Sequence, residues 1–311
     1  MFACEKLVPA SEVFPFATSR GIAVGAFNFS NMETVQAIVA AANGMDMPVI
    51  LQASSSAIKY MGFAYLKAIV SAAAAEATVP LVLHLDHGKD FAICKECIDE
   101  GFSSVMIDAS SLEYDENVAK TREVVEYAKR FGVSVEAELG TLAGVEDEVK
   151  VAEGAAFYTD PAQAADFIEH TGITSLAIAI GTSHGANKGR TGNPKLSIET
   201  LKEIKKHVGD FPLVLHGASS VYPDEVSTCN AHGAELNGAF GITDADIIAA
   251  IQNGVRKVNV DTDIRIAFLG AIRKHLDENK TNIDMRKYLT AARTAAQNVV
   301  MRRMKTFVNA H

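Results

Sequence analysis

No stretch of this sequence approaches the run of about 18 apolar residues that a membrane-spanning helix needs, so no membrane partner is expected. No block of lysine and arginine stands out, and the formal net charge is −9. Non-specific binding to nucleic acid is thereby disfavoured. The opening segment, MFACEKLVPASEVFPFATSRG, has no basic stretch followed by an apolar core, so a cytoplasmic location is expected. Cysteine is scarce: Cys4, Cys94, Cys97 and Cys229. One C-x-x-C occurs, without the second pair that a zinc ribbon needs. It lies in FAICKECIDEGF, where Phe91, Ile93, Cys94, Cys97 and Ile98 fit a helix face, so the pair reads as reduced helix cysteines. Two phosphate-binding signatures are missing as well. No G-x-G-x-x-G follows the first strand, and G-x-x-x-x-G-K-[ST] occurs nowhere, which weakens the case for a nucleotide-binding sheet.

What is present is a recurring unit. Of 311 residues, 48% are hydrophobic and 22% charged, enough apolar material for a large core. A short apolar, often β-branched run ends in a polar or glycine-rich tip, and an amphipathic helix follows. The runs are IAVGAFN (22–28), PVILQAS (48–54), PLVLHLDHG (80–88), SSVMIDAS (103–110), VSVEAELG (133–140), SLAIAIGTSHG (175–185), FPLVLHGAS (211–219) and KVNVDTD (257–263). Segments such as METVQAIVAAANGM and SIETLKEIKKHVG read as the helices between them. Apolar strands alternating with helices indicate a parallel sheet covered on both faces. Eight such units indicate a closed (β/α)8 TIM barrel, one domain over residues 1–311, with a doubly wound sheet as the alternative. Residues 229–247 read as an inserted loop before the eighth strand. Residues 264–311 read as two extra helices that pack on the barrel or on another subunit.

Catalytic groups of such barrels gather where the strands finish. The third strand ends in Asp86-His87, the sixth in His184, the seventh in His216. A lone strand-end histidine is usually only a hydrogen-bonding residue. Three at equivalent ends point to a metal, since three imidazoles with an open fourth position make a common catalytic zinc site. The fourth strand ends in Asp108, and Glu136 and Glu138 share a face of the fifth; these carboxylates could support the ligands or offer a second metal position. Only Glu138, nearer the tip, is a good candidate. His84 precedes the tip and reads as a buried structural histidine.

The motifs LHLDHG, SVMIDAS, SVEAELG, AIGTSHG, LVLHGAS and KVNVDTDIRIAF resemble those of the class II, metal-dependent ketose-bisphosphate aldolases, most closely the fructose-1,6-bisphosphate aldolases of the B subgroup. The resemblance covers nearly the whole chain. It implies reversible cleavage of fructose 1,6-bisphosphate to dihydroxyacetone phosphate and glyceraldehyde 3-phosphate in glycolysis and gluconeogenesis, with Zn²⁺ stabilising the enediolate. It implies His87, His184 and His216 as zinc ligands, and Asp108 and Glu138 at an accessory position for a second divalent or a monovalent cation. Asp86 would be the acid/base at the C4 hydroxyl, and Glu146 would move the proton at the carbanion carbon. Gly185, Gly217, Ala218, Ser219 and the stretch Asn259, Val260, Asp261, Thr262 would hold the C1 phosphate and the dihydroxyacetone moiety. Ser54 would lie by the aldehyde half, and Arg265 would reach the C6 phosphate. Lys188 could add charge to the phosphate site or be merely solvated. The partners implied are a phosphorylated sugar and further copies of the chain, as a homodimer or homotetramer.

Rival functions fare less well. A tagatose-1,6-bisphosphate aldolase shares the chemistry, but those relatives usually have alanine where this chain has Asp261. A Schiff-base aldolase needs a lysine at a strand's catalytic end, and Lys257 starts its strand. A TIM-barrel metallohydrolase typically carries H-x-H at its first strand, which here ends in Phe27-Asn28. A non-catalytic scaffold would lack a ligand histidine or Asp86. Ser55-Ser56 and Ser220-Val221 depart from the family pattern.

Overall fold

A computed structural model of the chain describes residues 6–141, 143–146, 149–151, 158–184 and 196–310. The first elements are α1 (Ala10–Arg20), β1 (Val24–Asn28), α2 (Met32–Met45), β2 (Val49–Ser54), α3 (Ser55–Met61), α4 (Phe63–Glu76), β3 (Leu81–Gly88) and α5 (Phe91–Asp99). There follow β4 (Ser104–Ile107), α6 (Tyr114–Lys129), β5 (Ser134–Leu139), β6 (Ala143–Glu146), β7 (Val149–Val151), α7 (Pro161–Thr171), β8 (Ser175–Ile178) and β9 (Ser183–His184). The last are α8 (Ile198–Val208), β10 (Leu213–Leu215), α9 (Pro223–Ala231), α10 (Asp244–Gln252), β11 (Val255–Val260), α11 (Thr262–Glu278) and α12 (Met285–Val308).

Eight parallel strands close in the order β1-β11-β10-β8-β5-β4-β3-β2, so the expected TIM barrel is the architecture found. Residues at helix starts fix where strands give way to helices. Asn31 and Thr34 form a reciprocal cap on α2, Asp90 caps α5, and Asp160 caps α7 just before Pro161.

The period of two divides each strand between two environments. Phe27, Leu51, Leu83, Leu85, Val258 and Val260 join the apolar layer against the helices. Val24, Ala26, Ile50 and Val82 instead meet Ala10, Val13, Phe14 and Ala17 of α1, which plugs the lower end of the barrel. Nothing in the sequence pattern had indicated that helix. Above the plug the interior turns polar. Lys257 on β11 contacts Glu136 on β5 and His84 on β3, strands that are not neighbours in the barrel, so these groups meet across its interior.

Three expected boundaries change. The sixth barrel strand stops at Ile178, and His184 belongs to β9, which pairs with β6 outside the barrel. The chain leaves the ladder because Thr159 Oγ1 takes the Ala179 N–H and Gly181 turns through φ 107. Of residues 229–247, only 232–243 lie outside helices, between α9 and α10. Thr262 and Asp263 start α11 rather than ending the eighth strand. Among the described residues, no helix is long and apolar enough to cross a membrane.

Candidate metal and substrate site at the barrel mouth

In a regular strand Asp86 and His87 would face opposite sides. Here both reach the mouth, because His87 has φ 49 and the register between β3 and β4 shifts between Leu85 and Gly88. Histidine tolerates the left-handed region better than most residues. The turn needs glycine next: a Cβ on Gly88 would lie 2.5 Å from the Met106 carbonyl oxygen and 2.8 Å from Cys94 Sγ. The abrupt polar ending of LVLHLDHG is this twist.

His87 Nε2 and His216 Nδ1 lie 2.9 Å apart, with the rings edge to face. The other nitrogen of each ring faces a carboxylate: His87 Nδ1 is 2.8 Å from Asp108 Oδ2, and His216 Nε2 is 2.9 Å from Glu136 Oε1. An ionised carboxylate only accepts, so the outer nitrogens carry protons, and the charged His87 ring donates its Nε2–H to the His216 Nδ1 lone pair. A cation that displaced this proton would meet lone pairs from both inner nitrogens. Burial opposes a charge on His87, but the Asp108 hydrogen bond and the charges of Asp86, Asp108 and Glu138 outweigh it and push the ring up to about 10. Burial and the His87 charge push His216 down. Burial also raises Glu138, helped by Asp108, and its buried Oε2 has no hydrogen-bond partner among the described residues. It sits 3.9 Å from His216 Nδ1.

Ligand atoms of Asp86, His87 and His216 all lie within 4.8 Å of one another, as do those of His87, Asp108 and Glu138. Paired imidazoles backed by carboxylates, with an orphan carboxylate oxygen beside them, fit a divalent cation. His184 and Glu146 are described as backbone only, in β9 and β6, whose pairing brings His184 opposite Gly144.

Asp86 lies in a cage of amides. Asn28 Nδ2 donates to its Oδ2 at 2.7 Å, Gln52 Nε2 reaches the same oxygen at 3.4 Å, and Asn259 Nδ2 reaches Oδ1 at 3.4 Å. Burial opposes its ionisation, yet the charges of His87, His216 and Lys257 and the Asn28 bond hold it below the usual carboxylate range. Below it, Lys257 Nζ donates to Glu136 Oε2 at 2.7 Å and to His84 Nε2 at 3.1 Å, while His84 Nδ1 meets Ser104 Oγ at 2.8 Å. His84 is thus the buried structural histidine expected. Asn28, Gln52 and Lys257 were not among the expected site residues, and Glu136 was passed over for Glu138. Each is a polar residue on a strand otherwise largely apolar, but nothing local in the sequence pairs Lys257 with Glu136.

On the substrate side, Gly217 has φ 58, and Ser219 is buried beside it. Ala218 and Val260 bury their side chains in the apolar layer, so they offer the site only backbone groups. Ser54 pairs in register with Asp86 and caps α3, its Oγ 3.3 Å from the Ala57 nitrogen. Asp261 and Arg265 grip each other at 2.8 Å through both carboxylate oxygens, and Thr262 is the first residue of α11. Asp261 and Arg265 flank a pocket of about 230 Å³ also lined by Asn28 and Asn31. A larger groove of about 630 Å³ lies among α2, α4 and α12. Gly185 and Lys188 lie outside the described residues.

The comparisons with known proteins agree with one another. Residues 8–311 match the family described as fructose-bisphosphate aldolase class-II. The chain is 48% identical to a fructose-bisphosphate aldolase of Thermus caldophilus, over 97% of this chain and 98% of that one. It is 43% identical to one from Helicobacter pylori strain J99, over 98% and 99%. Among solved structures, the YdjI aldolase of Escherichia coli K12 superposes with a TM-score of 0.78 at 31% identity, covering 97% of each chain. With the match spanning almost its full length, this chain belongs to the class-II fructose-bisphosphate aldolase family.

Proposed function

We propose that this chain, acting as one barrel domain, catalyses the reversible aldol cleavage of fructose 1,6-bisphosphate to dihydroxyacetone phosphate and glyceraldehyde 3-phosphate. The observation that carries this is the pair of carboxylate-backed imidazoles, His87 and His216, with ionised Asp86 beside them at the mouth of the barrel. His87 and His216 would hold a zinc ion together with His184, and Asp108 and Glu138 would serve an accessory cation. The bound ion supplies electrophilic stabilisation of the charge that develops on the ketone oxygen as the C3–C4 bond breaks.

The chain's own groups do the rest. Cleavage requires the C4 hydroxyl to lose its proton, and Asp86 is ionised and held by Asn28 so that it can accept it. Glu146 would move the proton at the carbon that becomes the carbanion. Backbone N–H groups around Gly217 and Ser219 would bind the C1 phosphate, and Asn259, Asp261 and Thr262 would orient the neighbouring hydroxyls. Lys188 and Gly185 would complete the phosphate site, with Ser54 on the aldehyde side.

The working protein would be a cytoplasmic homodimer or homotetramer serving glycolysis. The test is a cleavage assay on fructose 1,6-bisphosphate with both triose phosphates measured as they form. Formation of both in equal amounts is expected, and absence of cleavage with zinc supplied would defeat the proposal.

A further inference from the structure

The loop after β10 carries Gly217, Ala218 and Ser219, and it is gripped from outside the barrel. Val221 has φ 50, a left-handed conformation that a β-branched residue rarely adopts. Such strain persists only where the surroundings over-determine it. Asp263, buried at the start of α11, accepts from the Ser220 N–H at 3.0 Å and the Val221 N–H at 2.6 Å. Arg303, fully buried on α12, donates to the Ala218 carbonyl at 3.0 Å, to Asp244 Oδ1 at 2.8 Å, to the Tyr222 hydroxyl at 3.3 Å and to Ser220 Oγ. From the other side the Ile242 N–H bonds the Ser219 carbonyl at 3.0 Å. A Cβ on Gly241 would lie 2.2 Å from that same oxygen, so this close approach requires glycine.

Three segments distant in the chain therefore converge on residues 218–222. A buried guanidinium is costly unless it is paired and hydrogen-bonded, and an apolar side chain would fill the same space at lower cost. The two terminal nitrogens of Arg303 donate to this loop and to Asp244 at its edge. Asp244 and Asp263, whose Oδ2 lies 3.5 Å from Arg303 Nε, balance its charge, so what it adds to the site is shape.

We propose that Arg303 is a positioning residue for the phosphate end of the substrate, fixing the backbone at Gly217–Ser219 so that its N–H groups stay directed at the C1 phosphate. This rests on the assignment of Gly217–Ser219 to that phosphate. It gives α12, which barrel closure does not require, a part in binding.

The experiment measures inhibition of cleavage by inorganic phosphate and by dihydroxyacetone phosphate, for the parent protein, Arg303→Met and Arg303→Lys. Both variants should retain bound metal, and both inhibition constants should rise about tenfold or more, the scale of losing buried charged hydrogen bonds. The KM for the bisphosphate should rise more than kcat falls. Inhibition by unphosphorylated dihydroxyacetone should stay at the parent level, whereas general loosening of the barrel would weaken it too. Parent-like phosphate inhibition in folded Arg303→Met overturns the proposal. Where that variant does not fold, Arg303→Lys decides, because lysine keeps the charge but not the fork. A parent protein insensitive to both phosphate probes would instead defeat the assignment of the loop.

Discussion

His216 Nε2 lies 2.9 Å from Glu136 Oε1, and this contact decides which nitrogen of the ring faces His87. Glu136 is in turn held by the fully buried Lys257, at 2.7 Å. The chain from Lys257 through Glu136 thus sets the tautomer of His216, a candidate metal ligand. Glu136→Gln and Lys257→Met should each lower metal affinity by about 10- to 100-fold, the usual cost of losing a partner behind a ligand. Competition with a chromogenic chelator measures this. Affinities equal to the parent's would show that the buried network serves folding alone.

The strand-end groups were legible in the sequence because catalytic residues of a parallel barrel collect at one rim. Asp86, His87, Asp108, Glu138 and His216 were all found that way, and all meet there. The second layer was not legible for a geometric reason. An imidazole has two nitrogens, and that of His216 away from the mouth reaches one pleat deeper, to Glu136. Lys257 meets Glu136 across the barrel, and no local spacing encodes a contact between residues 121 positions apart. The plug α1 was likewise invisible, because its partners are the inward residues of β1, β2 and β3. His184 was placed on a barrel strand because SLAIAIGTSHG reads as one apolar run, whereas the Thr159 hydroxyl and Gly181 end that strand early.

Cleavage should depend on metal and not on an imine. Lys257, inside the barrel, is tied to Glu136 and His84, in register with Val24 at the lower end of β1. It is not poised to attack a substrate carbonyl at the mouth. A strong chelator should abolish activity and Zn²⁺ restore it, while substrate plus borohydride should leave the protein active. Mass spectrometry revealing a reduced substrate adduct on a lysine would contradict this.

Asp86 and His87 are adjacent but should fail differently. Asp86→Ala should keep the metal and lose about 10²–10⁴-fold in cleavage rate, the scale of one general acid/base. His87→Ala should lose the metal itself. Bound zinc measured alongside kcat separates the two outcomes. Near-parental cleavage by Asp86→Ala would remove that residue from the mechanism.

Acid should destabilise the metal-free protein partly through His84. Burial and the Lys257 charge lower this ring to about 3. In the unfolded chain it takes up its proton near the ordinary value of about 6.5. Between those values the unfolded state binds the extra proton, so this contribution is present above about 6.5 and lost as pH falls toward 3. Thermal unfolding in chelator from pH 7 down to pH 4 should show Tm falling, with a shallower fall for His84→Gln. Identical slopes would assign the acid sensitivity to other groups.

The choice between sugar isomers should lie with Asp261 and Arg265. Fructose and tagatose bisphosphates differ only at C4, the carbon whose hydroxyl Asp86 would deprotonate. Asn28 holds Asp86 at 2.7 Å and also lines the pocket flanked by Asp261 and Arg265, so that pocket adjoins the C4 end of the site. Arg265 is more than half exposed and its fork grips Asp261 through two 2.8 Å contacts. A phosphate can compete for that fork, since it offers the same bidentate geometry. Binding of the C6 phosphate would then loosen Asp261 from Arg265 and leave its carboxylate to meet the sugar's hydroxyls. Arg265→Ala should chiefly raise KM for fructose 1,6-bisphosphate. Asp261→Ala should erode the preference for it over tagatose 1,6-bisphosphate, read as the ratio of kcat/KM for the two sugars. Equal or faster cleavage of the tagatose isomer by the unaltered protein would reassign the substrate while leaving the metal chemistry untouched.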